Sequence, residues 1–227
     1  MKALALALLL CASSVWAQSP AKVMFHLDRE GLEIPRFTLS VDEQGKAEYH
    51  AEVAAPKSQP ATQPGEPAEP SAPLPAIERK VTLSAATTEK IFALAREADR
   101  FNVTCEAKAK NVANMGMKTL SYAGSDGSGT CAYNYTEVKP VAALTDIFLA
   151  VQQTLEMGRQ MDFKRRFDRL GLDAVMLSLS QMLDSHQAME VGTIAASLRT
   201  IASDTELMQR VRLRAAKMLE QAEQASR

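Results

Sequence analysis

Phe37-Thr38-Leu39-Ser40-Val41, the turn Asp42-Glu43-Gln44-Gly45, and Lys46-Ala47-Glu48-Tyr49-His50-Ala51-Glu52-Val53 decide the fold. In the first run Phe37, Leu39 and Val41 share a face, while Thr38 and Ser40 share the other. That period of two is the pattern of a half-buried strand. The second run repeats it, with Ala47, Tyr49, Ala51 and Val53 on one side and Glu48, His50 and Glu52 on the other. Asp42 to Gly45 supplies turn residues, so the two runs read as an antiparallel hairpin. Upstream, Val23, Phe25 and Leu27 alternate in the same way, with Gly31 and Pro35 before Phe37. The stretch is a hairpin, or three strands with a longer first connection.

Downstream, residues 55–76 hold seven of the ten prolines, among Ala, Gln, Glu and Ser. Such a composition cannot bury a core and predicts an extended spacer rather than a proline-motif ligand. It could divide two domains. A lone hairpin is marginally stable in water, so the segment is read as an insertion within one domain. Lys80-Val81-Thr82-Leu83 then predicts a short strand. Ser84 is the expected N-cap of a helix to about Asp99, with Ile91, Phe92, Leu94, Ala95 and Ala98 as its apolar face. Residues 102–116 read as loop. Strands are expected at 117–123 and 129–136, joined by a turn over 124–129.

From Pro140 the pattern is helical. Val141, Leu144, Phe148, Val151 and Leu155 mark a buried stripe. A second stretch carries Phe163, Phe167 and Leu170, passes Gly171 as a kink or break, and continues through Leu172, Val175, Met176, Leu179, Met182 and Leu183. A third covers about 188–202. A fourth starts at Ser203-Asp204-Thr205-Glu206, whose ends match a capping box. The methionines of this half read as gap-filling core, with an adaptable partner groove as the alternative. The expected fold class is α+β: a mostly antiparallel sheet of about five strands, helices near 85–99 and 140–160 on one face, and a C-terminal helical bundle. The domain reading is 18–160 for the α+β part and 161–227 for the helical region.

The first seventeen residues carry their own message. Lys2 is followed by the apolar run Ala3–Leu10, and Val15-Trp16-Ala17 puts small residues at −3 and −1 before Gln18. This is the secretory signal-peptide pattern, and the run is too short to span a bilayer. Lipoprotein signals place a small residue before the cysteine, whereas Leu10 precedes Cys11. The reading is therefore cleavage of residues 1–17, export to the periplasm or beyond, and no transmembrane segment afterwards. Two cysteines then remain, Cys105 and Cys131. An even pair in an oxidising compartment predicts one disulfide.

The composition narrows function by exclusion. A formal charge of −1 across 227 residues gives no basic field for nucleic acid. The runs Lys164-Arg165-Arg166 with Arg169, and Arg210, Arg212, Arg214 and Lys217, are diluted by acidic neighbours and read as solvated helix faces. Residues 124–129 match neither GxSxG nor a phosphate loop. There is no CxxC, HxH or HxxxH. His26 and His50 could meet across neighbouring strands as a weak metal or proton site, against the simpler reading of solvated positions. Asp168 and Asp173 flank Gly171 without glycosidase spacing. Asn102-Val103-Thr104 and Asn134-Tyr135-Thr136 match the N-glycosylation pattern and are expected to be unused behind a bacterial-looking leader. No pattern implies a catalytic residue, a cofactor or a metal.

Pro35-Arg36-Phe37-Thr38-Leu39-Ser40-Val41 with Gly45 and Tyr49, followed by strand, helix, hairpin and helix, resembles an exported bacterial domain of unknown function over about residues 22–157. That resemblance implies a compact α+β unit of the envelope and carries over no catalytic residue. Ala202, Asp204, Val211, Arg212, Ala215, Ala216 and Leu219 in the last two helices resemble one HEAT-type hairpin. Such repeats imply protein-binding surfaces, but arrays need several, so an ordinary helical hairpin is the simpler reading. The expectation is a non-catalytic protein that binds or supports another envelope protein. The alternative is an enzyme or small-ligand binder whose site forms only on folding.

Overall fold

The computed structural model describes residues 20–55, 74–109 and 112–225. The leader at 1–17 and most of the proline-rich segment lie outside the described residues.

The molecule is α+β. One sheet of six strands contains β1 (Lys22–Asp28), β2 (Arg36–Asp42), β3 (Lys46–Glu52), β4 (Ile77–Thr82), β5 (Met117–Gly124) and β6 (Gly127–Tyr133), in the order β4-β3-β2-β1-β5-β6. Every neighbouring pair is antiparallel. The upstream stretch resolves into three strands, one more than a simple hairpin. β3 and β4 pair along their length, Lys46 with Thr82 and Ala51 with Ile77, so the chain on either side of the proline-rich segment belongs to one sheet.

Register follows the alternation. Val23, Phe25 and Leu27 lie beside Val41, Leu39 and Phe37, and these beside Ala47, Tyr49 and Ala51. All nine are buried. They pack against α1 (Ala85–Glu97) and the first half of α2 (Lys139–Phe167), with Phe25 stacked on Phe148 at 5.3 Å between centroids. The opposite face carries Lys22, His26, Glu48, His50 and Lys80. One dry and one wet face is the usual state of an antiparallel sheet. Ser84 caps α1 as expected, accepting from the Thr87 amide at 3.3 Å.

The β5–β6 turn is tighter than expected. Gly124 pairs with Gly127, leaving only Ser125 and Asp126 as the loop, and Gly129 lies inside β6. Gly129 has its own reason: a Cβ there would overlap the Arg100 carbonyl oxygen. Arg100 belongs to a short left-handed turn, with φ of 49°, 54° and 67° at Asp99, Arg100 and Phe101. That conformation costs about 1–2 kcal/mol per residue. Fully buried Phe101 opposes the cost, as do Arg100 Nε donating to Asp126 at 3.1 Å and the Asn102 amide donating to the Asp99 and Ser128 carbonyls. The Tyr122 hydroxyl, donating at 2.6 Å, together with Arg100 and Arg96, whose Nε donates at 3.3 Å, holds the Asp126 carboxyl down to about 2.

The helical half departs further from expectation. α2 is one unbroken helix of 29 residues that runs straight across residue 160. The chain breaks at 168–171, and α3 (Leu172–Asp184) begins beyond Gly171. α4 (Ala195–Ser203) starts later than 188, after a short 3-10 turn over Val191–Ile194. The capping box does not form. The Ser203 hydroxyl donates back to the Arg199 and Thr200 carbonyls, Asp204 accepts from the Glu206 amide, and α5 (Gln209–Ala225) begins three residues later. Ser203 ends one helix instead of starting the next.

Two hydrophobic clusters result. The sheet cluster ends along α2 at Leu155, and the bundle cluster begins on the same helix at Met157. Met157, Met161, Met176 and Met218 are buried in the second and fill core, with Met182 and Met208 packed against it and Met182 also bordering a surface pocket beside His186. A polar clasp joins the halves. Glu190, in the left-handed region, accepts from the Ser84 amide at 2.8 Å, the Ser84 hydroxyl at 2.7 Å and the Thr87 hydroxyl at 2.5 Å. No helix of the described residues is long and apolar enough to cross a membrane.

Candidate functional site

Lys118 breaks the pattern of its strand. Lys118, Leu120 and Tyr122 share the core-facing phase of β5, and Lys118 lies between Leu27 of β1 and Tyr133 of β6. A lysine at such a position is rare unless its ammonium is satisfied. Here Lys118 is 8% exposed. Its Nζ donates to the Gly116 carbonyl at 3.1 Å and the Asn134 carbonyl at 2.9 Å, and lies 5.9 Å from the centre of the Tyr133 ring. Burial pulls its pKa below the ordinary lysine value, with nearby Arg29 acting the same way and Glu106 opposing.

The surrounding chain is shaped to admit this. Gly116 has φ +89°, and a Cβ there would lie 2.6 Å from Arg29 Cβ and 2.9 Å from the Asp28 carbonyl oxygen. Only glycine lets the chain enter β5 against the Arg29 stem and still present its carbonyl to Lys118. Asn134 braces the other side, accepting from the Met115 amide at 2.8 Å and donating to the Ala113 carbonyl at 3.0 Å. Beside these groups lies a pocket of about 300 Å³, with Leu27, Ala142 and Leu149 among its apolar walls and Arg29, Lys118 and Asp146 as its charged ones. The Tyr133 hydroxyl, 2.5 Å from Thr145, is pushed up to about 12 by burial.

A second feature stands at the far end of α2. Phe163, Phe167 and Leu170 are 54%, 73% and 81% exposed. The two rings touch, with centroids 5.0 Å apart. Their spacing reads as a buried stripe, and the structure corrects that. Beyond Leu155 the packed face of α2 is the one bearing Met157 and Met161. Phe163 is two residues past Met161, about 200° around the helix, and so points away from the bundle. The adjoining cations are mostly neutralised within the molecule: Lys164 by Asp168, Arg165 by Asp204 and Arg169 by Glu206.

The other expected residues fall into structural roles. Cys105 and Cys131 are at disulfide distance with Cα atoms 5.8 Å apart, joining the 102–116 loop to β6. His26 and His50 lie on the same face but not on neighbouring strands, because β2 separates them and both are in register with Thr38. His26 Nδ1 is 3.0 Å from the Thr38 hydroxyl, and His50 faces Glu78 at 3.6 Å. Asp168 holds Lys164 and the Gly171 amide, while Asp173 holds Arg210 and Arg214. Lys118 and Arg29 were not legible as a site. The available signal was a lysine in the apolar phase of an alternating strand.

No protein-family model matches this chain, and no curated protein shows significant similarity to it. The reading of function therefore rests on the geometry above.

Proposed function

We propose that this chain is an exported, non-catalytic protein of the bacterial envelope that binds another protein through its helical half. The observation that carries the reading is the exposed trio Phe163, Phe167 and Leu170. Large apolar side chains grouped at a surface are uncommon on monomers and typical of interface centres. Three of the four flanking cations, Lys164, Arg165 and Arg169, are paired internally and only Arg166 is left, so the ridge lacks the clustered positive field that an anionic lipid surface would recruit. An aromatic centre within a neutralised polar rim suits a protein surface. Export is supported by the leader pattern and by the disulfide, which belongs to oxidising compartments.

The test is crosslinking in the native envelope with the wild-type chain and with the double variant F163S/F167S. The wild type should yield one reproducible protein adduct and the variant should lose it. Thermal stability should change by no more than about 0.5 kcal/mol, because neither ring is part of a core. An adduct of equal yield from the variant, or no adduct from the wild type, would overturn the assignment. Mass analysis of the same material should show an N-terminus at Gln18.

A further inference from the structure

We propose that the pocket between β1, β5, β6 and α2 binds a small monocarboxylate on an apolar stem, with Lys118 and Arg29 holding the carboxylate. An ammonium has three donors. Two of those on Lys118 go to the Gly116 and Asn134 carbonyls, and no acceptor among the described residues takes the third. Neither Lys118 nor Arg29 has a carboxylate partner at ion-pair distance among the described residues. Two cations thus converge on one cavity, one of them almost wholly buried. Tying two strand ends together requires only two neutral donors. The buried charge and its neighbouring guanidinium are left unexplained by that role, and an anionic guest accounts for both.

The cavity selects the guest. Its walls beside the cations are Leu27, Ala142 and Leu149, which suit a hydrocarbon or aromatic stem. A volume of about 300 Å³ is at the small end of ligand-sized clefts. Asp146 at the mouth is exposed and leaves the charged lining with a net single positive charge. That balance favours a single negative charge and opposes phosphate or a dicarboxylate. Arg29 offers a planar fork to the two oxygens, and Lys118 a point charge and its remaining N–H.

The experiment is calorimetric titration of the mature protein with octanoate, acetate, 1-octanol and inorganic phosphate. Octanoate should bind at one site. Acetate lacks the stem and octanol the charge, and each should bind at least about tenfold more weakly. R29Q should weaken octanoate about tenfold with unchanged thermal stability, and D146N should tighten it severalfold. K118M should abolish binding, but its loss of two carbonyl contacts also lowers stability, so R29Q and D146N carry the decision. Absence of octanoate binding at millimolar concentration, equal binding of octanol, competition by phosphate, or indifference to R29Q would each overturn the proposal.

Discussion

Reduction of the Cys105–Cys131 bridge is expected to lower the stability of the mature protein by about 3–4 kcal/mol. The bridge closes a loop between residues 26 apart in sequence, and chain-entropy reasoning gives that magnitude for a loop of such length. For a domain of this size the melting temperature should fall by about 10 °C. The cost is concentrated in the segment between Asn102 and Gly116, whose described residues form neither helix nor strand. Apart from the bridge its described residues are tied to the rest of the molecule by hydrogen bonds: the Ala107 amide donates to the Tyr135 carbonyl at 2.9 Å, Glu106 accepts from the Asn134 amide, Asn134 joins the Met115 amide and the Ala113 carbonyl, Lys118 donates to the Gly116 carbonyl, and the Asn102 side chain donates to the Ser128 carbonyl. Thermal unfolding with and without reductant measures the effect, and C105S/C131S repeats it without chemistry. A loss below about 1 kcal/mol would mean that these other contacts already order the loop in the reduced chain. The left-handed turn at Asp99–Phe101 lies just upstream, so the bridge also limits how far that strained segment can relax.

Replacement of Glu190 by alanine should cost about 2–3 kcal/mol, read as a lower urea midpoint at unchanged slope. Its carboxylate takes three donors at the start of α1, two of them from Ser84. The alanine variant leaves the half-buried Ser84 amide without its partner. E190Q keeps the shape but turns one oxygen into a donor facing donors, and its loss should be intermediate. S84A removes the N-cap and part of the clasp together. The double variant S84A/E190A should therefore lose less than the sum of the single losses. Strict additivity would show that the clasp does not couple the two halves.

The alternating strands were legible because a half-buried sheet writes burial directly into sequence with period two. Val23 to Val53 shows this for three strands in register. Helix α1 was legible for a related reason, since Ser84 and the Ile91, Phe92 and Ala95 face belong to one element. The helical half was harder. Apolar spacing says that Phe163 and Phe167 share a side but not which side is covered, and that depends on where α2 leaves the sheet and meets the bundle. Ser203 and Glu206 have the right spacing for a cap, yet α4 extends to Ser203 and leaves the role to Asp204. The pocket was hidden because its charged members come from three separate parts of the chain: Arg29 just past β1, Lys118 in β5 and Asp146 in α2. Only the sheet order, which puts β5 beside β1, brings Arg29 and Lys118 together.

Helix α2 is about 43 Å long at the usual rise per residue. Leu155 completes one core on it and Met157 opens the other, within a single turn. Neither core can come apart without stripping apolar contacts from the same rod, and fraying of the rod weakens both. The molecule is therefore expected to melt as one cooperative unit with a single heat-absorption peak, despite its two hydrophobic clusters. The amides in the middle of α2 should exchange their hydrogens with solvent only when the entire chain opens.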